Sequence, residues 1–168
     1  MGAVSPSSSA LGNLMSKHVP VEKDAIVVEL GGGTGKLTRA LLDTGVLPQN
    51  LYVIELNPKF VKFLSEKFPE SHIIQGDVTN LNLILPKELV GKVSSIVSGI
   101  PMINIKRAVQ KEIMDASFNC LKKSGRFLQF TYGLKPPIPT IDFNLRATRV
   151  GSVVVNLPPA SVWSYRRA

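Results

Sequence analysis

A run of apolar residues that ends in an acid and empties into glycine constrains this chain more than any other segment. It reads Ala25-Ile26-Val27-Val28-Glu29-Leu30, then Gly31-Gly32-Gly33-Thr34-Gly35. A short apolar run bounded by glycine predicts a buried strand over Ala25 to Leu30. The periodic residues that follow predict a helix from about Thr34 to Thr44, with Gly45 as its C-cap. A glycine turn between strand and helix lets a ligand lie against bare backbone. The spacing excludes two common ligands. A phosphate loop needs glycine, four residues, then Gly-Lys-Ser/Thr. Here Lys36 is followed by Leu37, and Leu30 stands five before Gly35. A nicotinamide fingerprint needs Gly-x-Gly-x-x-Gly, whereas Gly31, Gly33 and Gly35 alternate and position 36 is Lys.

Downstream acids narrow the choice. Leu51 to Glu55 reads as a second strand, with its acid 20 residues beyond Gly35. At that distance a βαβ nucleoside site grips ribose hydroxyls. His72 to Gln75 reads as a third strand, followed by Gly76 and Asp77. Either acid alone is most simply a solvated turn residue or a helix cap. Three acids at the C-terminal ends of three consecutive strands share the edge where open α/β sheets bind ligands. The pattern Glu-x-Gly-x-Gly-x-Gly resembles that of class I methyltransferases, which bind S-adenosylmethionine and release S-adenosylhomocysteine. The resemblance implies that Glu29 and the turn with Gly31, Gly33 and Gly35 hold the methionine portion. It also implies that Glu55 binds ribose, and that Asp77 and Val78 face adenine.

Further helices are expected over Pro58 to Phe68, within 80–90 around Pro86, and from about Lys106 to Leu121. Strands are expected over Val93 to Ser98 and Arg126 to Thr131. Strand and helix alternate five times, which predicts a parallel doubly wound sheet. Thr148 to Asn156 and Ser161 to Arg166 then read as strands joined by a Leu157-Pro158-Pro159 turn, an antiparallel hairpin. The expected fold is thus α/β, a seven-stranded class I methyltransferase sheet of five parallel strands plus a C-terminal hairpin. Residues 1–168 read as one domain. Residues 1–24 form a lead-in with a short helix through Leu14 to His18, capped by Ser7, Ser8 or Ser9.

One cysteine excludes a disulfide framework and a cysteine zinc site. His18 and His72 lack the neighbours of a metal pair, so no metal is expected. With no signal peptide and no apolar run long enough to span a bilayer, a cytoplasmic protein is expected. Twenty Lys and Arg against 12 Asp and Glu give a net charge of +8, which suits an anionic partner, either nucleic acid or a membrane surface.

The acceptor is read from the segment after strand four, Ser98-Gly99-Ile100-Pro101-Met102. Enzymes acting on ribosomal RNA adenine carry Asn-Leu-Pro-Tyr or Phe there, an amide for the base amino group and a ring to stack on it. Gly99 and Met102 supply neither, and the small C-terminal RNA-binding domain of those enzymes has no counterpart here, so nucleic acid is disfavoured.

Val28-Glu29-Leu30-Gly31, Val53 to Pro58, Val97 to Pro101, Gln129-Phe130-Thr131-Tyr132-Gly133 and Asn156 to Trp163, together with Gly2 to Ser8, are similar to the bacterial phospholipid N-methyltransferase family. That resemblance implies stepwise methylation of the phosphatidylethanolamine amine toward phosphatidylcholine, peripherally at the inner membrane. It places Ser98, Gly99 and Pro101 as the wall where the amine approaches and Tyr132 as a headgroup contact. Tyr132, Asp142 and His18 are candidates for a base. Arg146, Arg149, Lys17 and Lys106 are candidates for the lipid phosphate. Family members usually begin with a basic amphipathic helix that docks on anionic lipid, and this chain opens about where that helix would end. The alternatives left open are an RNA adenine methyltransferase and a catalytically silent binding module. The oligomeric state is left open as well.

Overall fold

The structure, a computed structural model, describes residues 9–154 and 159–168. The expected serine caps Ser7 and Ser8 and most of the Leu157-Pro158-Pro159 turn lie outside the described residues. The chain runs α1 (Ser9–Ser16), β1 (Val27–Leu30), α2 (Lys36–Thr44), β2 (Leu51–Glu55), α3 (Pro58–Lys67), β3 (His72–Gln75), α4 (Leu81–Ile84), β4 (Val93–Ser98), α5 (Arg107–Cys120), β5 (Leu121–Thr131), β6 (Leu145–Val153) and β7 (Ala160–Arg167).

The strands form one seven-stranded sheet in the order β3-β2-β1-β4-β5-β7-β6. The first five are parallel, and β7 lies antiparallel between β5 and β6. The order reverses between β1 and β4, which opens a crevice at their C-terminal ends. β1 and β4 are buried along their whole length, as a strand covered on both faces must be. One apolar layer, with Ile96, Phe127, Met114 and Tyr165, packs the sheet against α4 and α5. The other, with Leu11, Leu37, Leu64 and Val97, packs it against α1, α2 and α3.

Several boundaries differ from the sequence reading. The first helix starts at Ser9, because Leu11 and Met15 bury completely against the sheet. Gly12 makes room for Ala40 of α2, and Gly151 makes room for Leu14. The segment 80–90 holds only the single turn α4 and a 3₁₀ turn over Lys87–Leu89, since Pro86 cannot continue a helix. β5 begins at Leu121 rather than Arg126. A bulge opposite Val93 and Ser95 absorbs the extra residues and keeps the segment in the sheet. β6 begins at Leu145, whose partner is Arg167.

Candidate active site

The crevice is a cleft of about 750 Å³ at the C-terminal ends of β1 to β4. It lies within the size range of small-molecule and cofactor sites. Gly31, Glu55, Asp77 and Val78 line it, together with Leu56, Asn57, Phe60 and Ile100.

The glycine turn is shaped by backbone geometry. Gly31, Gly33 and Gly35 have φ of 76°, 51° and 84°, a region that side chains disfavour. A Cβ on Gly31 would also stand 2.8 Å from Ile100 Cγ1, so the turn must be bare for β4's loop to close over it. Gly31 donates its N–H to Ile54 O at 2.8 Å, which seats the turn on β2. Gly35 donates to Gly32 O and stands at the start of α2.

Glu55 joins the turn to the second strand. Its Oε2 accepts from Gly33 N at 2.8 Å and its Oε1 from Asn57 N at 3.0 Å. The carboxylate is therefore held at the mouth before any ligand arrives. Asp77 is exposed and caps the following 3₁₀ turn. Its Oδ1 takes both Thr79 N and Thr79 Oγ1, at 2.9 and 2.8 Å.

Glu29 is fully buried and does not line the cleft. Thr38 Oγ1 donates to its Oε2 at 2.6 Å, while Oε1 has no partner among the described residues. Burial raises its pKa from 4.5 to about 8. The Thr38 bond opposes the rise and the Glu55 charge adds to it.

Ser98 is buried, and its Oγ accepts from Ile100 N at 3.2 Å. Gly99 donates its N–H to Leu30 O at 2.8 Å. Pro101 and Tyr132 meet in a separate small cavity of about 90 Å³, with Ile103 and Phe130. The Tyr132 ring packs edge-on to Phe130 at 5.8 Å between centroids. Met102 turns inward and is 1% exposed.

Three candidates for the base and the phosphate contact are placed elsewhere, and a fourth is tied up in an ion pair. Lys17 and His18 line a groove with Ser94, Ser95 and Arg126 at the N-terminal ends of the strands, away from the cleft. Arg146 lies at the same edge, opposite Arg166. Asp142 is paired with Arg107.

Sequence reasoning missed Asn57, Phe60, Ile100 and Gln129. Asn57 had a signal, because an Asn before Pro58 is an N-cap pattern, and its side chain accepts from Lys59 N. Gln129 had one too, as a single amide in an apolar strand. It is fully buried beside Ser98, and its Nε2 donates to Ile100 O at 2.6 Å, bracing the loop after β4.

These residues fit S-adenosylmethionine. The bare turn offers backbone to its methionine portion. Glu29 is buried with its Oε2 on Thr38 and lines no part of the cleft, so the turn rather than this carboxyl faces the ligand. Glu55 suits ribose hydroxyls, and Phe60, Val78 and Ile100 offer an apolar wall to an adenine ring.

Comparison with known proteins agrees. The fold matches a TehB-like S-adenosylmethionine-dependent methyltransferase from Corynebacterium glutamicum, with a TM-score of 0.64 at 16% identity over 94% of this chain and 86% of that one. It also matches the precorrin-6y C5,15-methyltransferase of Geobacter metallireducens, with a TM-score of 0.67 at 14% identity over 95% and 88%. Together with the sequence relatives that follow, this makes the molecule a class I methyltransferase that uses S-adenosylmethionine. The sequence model for ribosomal RNA adenine dimethylase matches residues 9–123, and the chain belongs to that family. An ornithine lipid N-methyltransferase of Singulisphaera acidiphila is 30% identical over 78% of this chain and 70% of its own length. A probable ribosomal RNA small subunit methyltransferase A of Methanococcoides burtonii is 39% identical over 44% of this chain, which spans only 27% of that protein.

Proposed function

We propose that this methyltransferase acts on the primary amine of a membrane lipid headgroup, phosphatidylethanolamine first, working peripherally at the cytoplasmic face of the inner membrane. One observation carries the reading. Four strand exits along the sheet edge that holds the cleft each bear an exposed apolar side chain. Leu56 follows β2, Ile103 follows β4, Leu134 follows β5 and Val154 follows β6, each at least 64% exposed. Apolar residues spaced along one edge of the sheet suit contact with a lipid surface more than with the charged backbone of RNA. The lipid-modifying relative supports it over the larger share of the chain. Against an RNA base, Gly99 has no side chain and Met102 is sealed in the core, so neither offers an amide or a stacking face.

S-adenosylmethionine supplies an already activated methyl group. The chain's own contribution is proximity and alignment, which is worth about 7–11 kcal/mol. Glu55, Asp77 and the glycine turn hold the donor. The loop from Ser98 to Pro101, braced by Gln129, fixes where the amine enters. An ammonium with an ordinary pKa of about 10 must lose a proton, and an apolar rim that excludes water lowers that value. Tyr132 is the headgroup contact in this reading, with the Pro101 wall beside it.

Labelled S-adenosylmethionine incubated with liposomes of phosphatidylethanolamine or ornithine lipid, and separately with RNA, tests this. Label in the lipid amine is the expected result. Label only in RNA returns the protein to base chemistry. Donor binding without transfer to either identifies a silent module.

A further inference from the structure

The edge of the sheet opposite the cofactor cleft carries a second feature. There the start of β5, the start of β6 and the end of β7 enclose a cleft of about 530 Å³. Lys122, Lys123, Arg146, Arg166 and Arg167 line it, all exposed, and no Asp or Glu side chain is among its lining residues. None of the five makes an ion pair among the described residues; the pairs there join Arg39, Arg107 and Lys111 to acids elsewhere.

Two local features work against leaving these charges bare. Arg146 and Arg166 are direct partners in the antiparallel ladder. Like charges in that position repel and destabilise a sheet. The bulge in β5 spends extra residues to hold Lys122 and Lys123 at the same rim. Arg167 is steadied from below, with its guanidinium 5.3 Å from the Phe118 ring centre. Arg146 and Arg166 project to one face of the sheet and Arg167, over Phe118, to the other, so the cations border the cleft from both sides of the strand ends, and guanidinium forks suit phosphate groups by paired hydrogen bonds.

We propose that this cleft is a binding site for a soluble compound bearing two or three linked phosphates, separate from the methyl-transfer site. A lipid phosphate shares the chemistry, but the geometry disfavours it. The six residues of β4 separate the two edges by about 20 Å. A bilayer seated on the basic edge would leave the cofactor cleft facing away from it. The concave shape likewise suits a small ligand over a flat surface.

Calorimetric titration of the full chain with sodium tripolyphosphate tests the site, at low and at physiological salt. The expected result is one saturable site whose affinity weakens with salt and falls at least tenfold in the R146Q/R166Q double variant. The variant should fold at least as well as the parent, since the cross-strand repulsion is gone, and should bind S-adenosylhomocysteine equally. Three results would overturn the proposal: no saturable tripolyphosphate binding, equal affinity in the variant, or binding confined to phosphatidylglycerol vesicles. An oligouridylate that binds at least a hundredfold tighter than tripolyphosphate would also overturn it, in favour of nucleic acid. The lipid reading is measured at the other edge, so either can fail without the other.

Discussion

The two halves of the sheet are built on different terms. Around β1, β2 and β3 the site is backbone and carboxylate: glycines with positive φ, and acids at strand ends whose oxygens are tied to main-chain N–H groups. Around β4, β5 and β7 it is side chains of ordinary type, an amide, a hydroxyl and rings, wired to one another. Gln129 braces Ile100, Ser161 Oγ donates to Gly133 O at 2.8 Å, and Trp163 Nε1 donates to Ser161 Oγ at 3.1 Å. A half made from backbone geometry tolerates few residues and so writes a pattern. A half made from packed side chains admits many solutions, and it is the half where the proposed acceptor contacts lie.

The largest effect expected on the first half comes from Glu29. Its free carboxyl titrates near 4.5 and its folded one near 8. Between those values the folded protein keeps a proton that the unfolded chain has released. Stability of the ligand-free protein therefore falls as pH rises through this window, by up to about 1.4 kcal/mol per unit. Below 4.5 both states are protonated and the cost vanishes; above 8 both are ionised and it levels off. Melting temperatures from pH 5 to 8 should show this slope in the parent and lose most of it in Glu29→Gln. A parent with no slope would mean that a partner inside the fold offsets the burial of Glu29.

Glu55→Ala comes next. It removes the two carboxylate oxygens proposed for ribose and releases Gly33 N and Asn57 N. Charge-assisted hydrogen bonds are worth about 1.5–3 kcal/mol each, so S-adenosylhomocysteine affinity should drop at least a hundredfold by calorimetry. Gly32→Ala tests the same half by shape. A Cβ there would lie 2.5 Å from Val53 Cγ1 and 2.7 Å from Leu64 Cδ1. Overpacking of that kind costs about 1–3 kcal/mol, a melting shift of about 2–4 °C for each kcal/mol in a chain this long.

The same division explains what could be read from the residues alone. β2, β3 and β4 have the bounds expected from their sequence, because an apolar run closed by glycine or an acid leaves little choice. The sheet's alternation and its hairpin were legible for the same reason. The start of β5 was not, since a lysine pair after a helix looks like a turn until a bulge holds it against β4. Gly31, Glu55 and Asp77 were legible as spacing at three strand ends, and the structure gathers them in one cleft. Lys17, His18 and Arg146 were misplaced because a charged residue carries no sign of which sheet edge it occupies. Only the strand directions tell, and they send Arg146 to the far edge.

The smallest expected effect is the one that bears on the second half. Tyr132→Phe keeps the ring against Phe130 and the cavity beside Pro101 and removes only the hydroxyl. If that hydroxyl meets the headgroup, lipid methylation should fall about tenfold in kcat/KM, the loss of one hydrogen bond of about 1.4 kcal/mol. S-adenosylhomocysteine affinity should not move, because Tyr132 does not line the cofactor cleft. A parallel loss of both would tie Tyr132 to the shape of the first half and end the division between them. An unchanged rate would shift the acceptor contact to the Ser98–Pro101 loop, where Gln129→Leu, which frees Ile100 O, becomes the decisive variant.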